Sequence, residues 1–182
     1  MRLAGYLGKV KLFEEHYYSI IRHSRSGYDQ ERLCAYWLPA QWDEARVNVL
    51  PAPVLVFLLN EKLVFQLFDL QPANDYFHHA VKLLPTLPAS SSKNSLASNL
   101  AKIFFYRGDW QQFEQHLQYI GDTVMKNVLS GVLLFAKGDA KEALAVFDTS
   151  TKALRKKVRK NTIYLHNTEG IFHILTLSLI HI

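Results

Sequence analysis

The sequence predicts an all-α fold of stacked antiparallel helix pairs, on three observations. Apolar residues recur at three- and four-residue spacing through long stretches. Alternating apolar and polar runs closed by Asn-Gly or Gly-Gly turns are missing, so almost no strand is expected. A Gly-Asp turn recurs at the spacing of helix-turn-helix arrays. With 182 residues and 49% hydrophobic content, the chain is long enough to bury a continuous core, and one elongated domain is the natural expectation.

Taken in order, helices are expected over 9–24, 29–37, 42–49, 54–69, 75–84, 95–107, 110–120, 124–137, 140–159 and 168–177, with ends good to about 2–4 residues. Pro51 and Pro53 interrupt the chain before the fourth of these. Pro53 falls where the first turn of the Val54–Phe68 helix needs no amide hydrogen. That helix is apolar on too many sides to lie on a surface. Two prolines and a serine cluster mark 85–95 as a loop between helix pairs. This divides the chain into an N-terminal helical region, 1–84, the loop, and helical repeats over 96–182.

The repeat itself lies in Gly108-Asp-Trp-Gln-Gln-Phe113 and Gly138-Asp-Ala-Lys-Glu-Ala143, with Asp139 following Asp109 by 30 residues. A weaker copy, Asn74-Asp-Tyr-Phe-His-His79, puts Asp75 34 residues before Asp109. Glycine suits the left-handed residue that closes one helix, and the aspartate can accept from the first amides of the next. Asp109 with Gln112, and Asp139 with Glu142, have capping-box spacing. Ala143, Phe147 and Ser150 then follow at the small-large-small spacing that lets two helices approach closely.

At these residues the chain resembles a degenerate tetratricopeptide-like solenoid, whose second helix begins Gly-Asp-aromatic and continues with Ala, an aromatic and Ala. Ser150 replaces the last Ala, and Phe113 stands where the first is usual. A narrower resemblance joins Gly138 to Phe147, Lys152-Ala-Leu-Arg-Lys156, Tyr164-Leu165 and Gly170-Ile-Phe172, with Arg107-Gly-Asp-Trp110 upstream. This order is similar to the helical region preceding the motor in large bacterial Swi/Snf-related DEAD/DEAH-box helicases, over roughly 54–176. That family often has Pro-Gly after the aromatic-Leu, where this chain has His166-Asn167. The resemblance implies a non-catalytic docking or regulatory region whose partner is a protein or the chain's own downstream motor domain. A free-standing tetratricopeptide-type adaptor for a protein or peptide is the alternative. The last six residues, Leu177-Ser-Leu-Ile-His-Ile182, match what the end of a transposase-based sequencing adapter encodes in one frame, and also read as an ordinary apolar helix end. On the first reading the natural protein continues past Thr176.

The sequence supplies no constellation for catalysis. No glycine-rich stretch precedes a Lys-Ser/Thr, so no phosphate loop is expected. Asp43-Glu-Ala-Arg46 follows Leu38-Pro-Ala-Gln-Trp42 rather than an apolar strand, and reads as the acidic first turn of a helix, not a helicase acidic box. His78 and His79 are adjacent and project about 100° apart on a helix, whereas a helical zinc pair wants i and i+4. No Gly-x-Ser-x-Gly elbow is present, and Cys34 lies beside no histidine signature. No cofactor, metal or small-molecule substrate is therefore expected. The single cysteine excludes an internal disulfide and suits a cytoplasmic protein, and no apolar run reaches the roughly 20 residues a membrane helix needs.

Charge is local. Lys152, Arg155, Lys156, Lys157, Arg159 and Lys160 outweigh the chain's net +5 and leave one net negative charge on the rest. Lys152, Arg155, Lys156, Arg159 and Lys160 recur every three or four residues as a positive stripe. It reads either as a solvated helix face favoured by the helix dipole or as a weak, sequence-blind contact for nucleic acid. Tyr17, Tyr18, Tyr36, Trp37, Trp42 and Trp110 sit on apolar helical patterns and are expected in the core rather than as base-stacking platforms.

Overall fold

The computed structural model describes residues 1–23, 28–66 and 75–158. Among them every regular element is helical: α1 (Arg2–Tyr6), α2 (Val10–His23), α3 (Tyr28–Trp37), α4 (Glu44–Val49), α5 (Ala52–Gln66), α6 (Asp75–Leu83), a 3-10 turn (Leu84–Thr86), α7 (Ser91–Tyr106), α8 (Trp110–Leu117), α9 (Val124–Ala136) and α10 (Ala140–Val158). The chain divides into two compact units, Met1–Gly121 and Asp122–Ile182. The loop expected at 85–95 lies inside the first.

That first unit is built around α5. Its apolar run has no polar face, and Val54 through Leu59 together with Leu63 are buried. Pro51 serves as its N-cap, its carbonyl accepting from the Val54 and Leu55 amides at 2.9 and 3.0 Å. Helices α2, α3, α6 and α7 pack around it. Phe57 meets Phe13 at 5.7 Å and Tyr17 at 5.2 Å, both edge to face, and Trp37 meets Phe13 at 5.5 Å. Such pairs add about 0.5–1.5 kcal/mol each beyond their buried area. Polar pins hold the periphery: Lys62 Nζ donates to the Leu38 carbonyl at 2.8 Å, and the Tyr76 hydroxyl to that of Gln41 at 3.2 Å.

The serine cluster behaves differently from the expectation. Ser90 is extended, its Oγ accepts from the Lys93 amide at 3.1 Å, and α7 begins at Ser91 rather than 95. The residues that break helices in their interiors start one here, because an N-cap hydroxyl satisfies a free first-turn amide. Pro85 sits in the 3-10 turn, so only 87–90 is irregular. Helix α1 was not expected. The helix expected at 168–177 and the turn preceding Asp75 lie outside the described residues, although α6 does begin at Asp75.

Within the second unit, α9 packs along α10, burying Val128, Leu129, Val132, Ala143 and Phe147. Thr123 caps α9, its hydroxyl accepting from the Lys126 amide at 3.1 Å.

Candidate functional site

The repeated turn is the feature that most organises this chain. At the first copy, Gly108 has φ 71°. The Gly108 amide donates to the Phe105 carbonyl at 3.0 Å and the Asp109 amide to that of Phe104 at 3.0 Å. At the second, Gly138 has φ 92°, and the Gly138 and Asp139 amides donate to Phe135 and Leu134 carbonyls at 3.0 and 2.9 Å. This pair of bonds is the Schellman closure, in which a left-handed residue lets two amides reach back to the last carbonyls of the helix. The aspartate carbonyl then opens the next helix, accepting from Phe113 at 2.9 Å and from Ala143 at 3.0 Å.

Asp109 Oδ1 accepts from the Gln112 amide at 3.0 Å, which is the expected N-cap bond. The reciprocal half of a capping box has no free donor at either copy, because the Asp109 and Asp139 amides already serve the helix behind them. One residue thus closes one helix and opens another.

A third copy of the turn is present where the sequence reading saw none. Gly8 has φ 66°, its amide donates to Gly5 at 3.1 Å, the Lys9 amide to Ala4 at 2.9 Å, and the Lys9 carbonyl accepts from Phe13 at 2.9 Å. Lys9 replaces the aspartate, which removes the motif's side-chain signature while leaving its backbone bonds intact. Burial follows the same register at all three. The residue five after the glycine is Phe13, Phe113 or Ala143, the residue nine after is Tyr17, Leu117 or Phe147, and all six are buried.

Across the Gly108 and Gly138 turns the flanking helices pack side by side, α7 on α8 and α9 on α10. Phe104 stacks on His116 at 4.6 Å and Phe105 on Phe113 at 5.8 Å. In the second unit Phe147 covers Gly131, whose Cβ would lie 2.7 Å from the ring. The equivalent residue of the first repeat, seven before Gly108, is Ala101, also buried. The sequence reading placed small residues only on the second helix and missed this pair. The 30-residue period that aligns Asp109 with Asp139 also aligns Ala101 with Gly131, and was the signal available. Ser150 is buried as the pattern requires, but its hydroxyl has no hydrogen-bond partner.

Of the basic stripe, Lys152 is exposed and pairs with Asp148 on its own helix. Arg155 and Lys156 lie on the last turns of α10, and Arg159 and Lys160 fall outside the described residues. Other candidate groups are tied up locally. Asp43 is the N-cap of α4, accepting from the Arg46 amide at 3.0 Å. Cys34 is buried with its thiol directed to the Leu58 carbonyl at 3.7 Å. His78 is exposed, while His79 packs on Trp42 at 5.4 Å and burial lowers its pKa. Burial likewise lowers His116, whose Nδ1 donates to the Gln112 carbonyl at 2.8 Å. Among the described residues no group of three His, Cys, Asp or Glu side chains is arranged to hold a metal ion, and no helix is long and apolar enough to cross a membrane.

The aromatic residues divide. Tyr17 and Trp37 are buried, Trp42 is half-buried, and Tyr18, Tyr36 and Trp110 keep exposed edges. Tyr6, Tyr36, Trp37, Arg46, Val49 and Leu50 line a cleft of about 160 Å³ in the first unit. No family model matches this chain, and no curated protein or solved structure does either.

Proposed function

We propose that this chain is a non-catalytic helical-repeat scaffold, a degenerate tetratricopeptide-like solenoid that docks a protein and forms the regulatory or docking portion of a bacterial ATP-dependent DNA helicase or translocase. The observation that carries the reading is the recurrence of one closed turn, at Gly108 and Gly138, with the flanking residues buried in the same register. A hairpin repeated in sequence and in backbone hydrogen bonds is a unit that buries its apolar face against its neighbours. The groups with displaced pKa values support the same reading, since His116 and Tyr17 are shifted chiefly by burial within helix packing. The link to a motor rests on the resemblance of residues 107–110, 138–156 and 164–172. If the basic stripe touches phosphate rather than serving only as a solvated helix face, nucleic acid binds salt-dependently at about 10⁻⁴–10⁻⁶ M, and replacing Arg155, Lys156, Arg159 and Lys160 with glutamine abolishes that binding.

Reading the coding sequence beyond Thr176 tests the assignment. Walker-type motor motifs there support it, and a stop codon directly after favours the free-standing adaptor. ATP hydrolysis by the purified chain above background overturns the non-catalytic reading.

A further inference from the structure

The cleft where α1, α3 and α4 meet has lopsided chemistry. Arg46 is committed: its Nε lies 3.1 Å from Asp43 Oδ2, and its Nη1 donates to the Tyr36 carbonyl. Arg2 is not. Its guanidinium lies 5.0 Å over the Tyr36 ring, and no carboxylate of the described residues pairs with it. Around these cations Tyr6, Tyr36 and Val49 are 53%, 45% and 60% exposed. Leu3 on α1 and Leu7 at its C-cap are exposed as well, outside the lining of the cleft. Several large apolar side chains in the open, edged by one uncompensated cation, form the complement of an apolar side chain next to a carboxylate.

We infer that this cleft takes a short acidic segment of a protein partner, with an apolar side chain entering between Tyr6, Tyr36 and Val49 and a neighbouring carboxylate pairing with Arg2. Its volume, about 160 Å³, suits one leucine-sized side chain. A groove tracking a nucleic-acid backbone presents a run of free cations, whereas here there is one. The inference supplies the partner chemistry for the protein-docking reading and rests on it.

Fluorescence polarisation of the full chain with fluorescein-labelled, leucine-centred decapeptides carrying none, two or four glutamates tests it, alongside lysine counterparts. Affinity should rise with glutamate content, and the lysine peptides should not bind. Arg2→Glu and Val49→Asp should each weaken the best peptide by about fivefold or more, with the parent's circular dichroism and melting retained. Lys9→Glu, the same charge change on the adjoining turn, should leave affinity unchanged. Absence of binding by every peptide, affinity independent of glutamate, or an unaltered Arg2→Glu variant overturns the inference. A single-stranded decanucleotide that binds the parent but not Arg2→Glu also overturns it, in favour of nucleic acid. None of these outcomes touches the scaffold reading, which the coding sequence and the ATPase assay judge separately.

Discussion

The Phe147 ring lies directly over the bare backbone of Gly131, close enough that a Cβ there would sit 2.7 Å from Cε1 and 3.1 Å from Cδ1 and Cζ. In an open helix interior, Gly→Ala gains about 0.5–1 kcal/mol. Here the added methyl overpacks the seam between α9 and α10, which costs about 1–3 kcal/mol. Gly131→Ala should therefore lower the urea midpoint, and a Phe147→Leu background should shrink the loss. A neutral or stabilising Gly131→Ala would show that the two helices do not meet here.

Gly108 and Gly138 make a contrasting pair, since a Cβ on either meets nothing within 4 Å. Their φ values of 71° and 92° are left-handed, so substitution acts through the backbone alone. Gly108→Ala and Gly138→Ala should each cost about 1–2 kcal/mol, with asparagine in the same places costing less. Thermal melting reads the effect, and an alanine variant as stable as the parent would show that these turns do not depend on a left-handed glycine.

Ser150 occupies a buried position where the resembling family has alanine, and its hydroxyl finds no partner. Its neighbours Thr149 and Thr151 bond back to the Ala145 and Phe147 carbonyls at 2.9 and 2.8 Å. A buried, unsatisfied hydroxyl costs about 1–3 kcal/mol. Ser150→Ala should accordingly raise the denaturation midpoint, and a fall would mean that the hydroxyl is bonded.

His116 makes stability depend on pH. Burial between Phe104 and Tyr119 holds its pKa below the ordinary 6.5, against the smaller upward pulls of the Gln112 carbonyl and Asp109. The unfolded chain therefore takes up the proton first. The contribution is fully present above the unfolded value and is lost as pH falls from there through the lowered folded value. His116→Phe should flatten the decline in melting temperature between pH 7 and pH 5. The lowered His79 acts with the same sign and leaves part of the slope. Identical slopes in parent and variant would contradict the buried, neutral assignment.

Much of the helical fold was legible because the signals are local. The continuous apolar run of α5, the prolines before it, and the Gly-Asp turns at Gly108 and Gly138 each act within a few residues of themselves. Ser90 misled because serine in the chain interior and serine at an N-cap have opposite effects, and the neighbouring backbone conformation decides between them. Gly8 stayed hidden because its turn is made by backbone bonds, while only the aspartate side chain would have advertised it. The cleft beside Arg2 was invisible for a different reason: Arg2, Tyr36 and Val49 are brought together only by the packing of three helices.

In a repeat scaffold stability is carried by contacts between neighbouring hairpins, so an injury at the α9–α10 seam stays local. Native-state hydrogen exchange of the full chain, parent against Gly131→Ala, tests this most directly. The account predicts faster exchange through Val124–Ala136 and Ala140–Val158, with Val10–His23 and Ala52–Gln66 unchanged. Equal acceleration across all four segments would show a single cooperative core and contradict the repeat-scaffold reading.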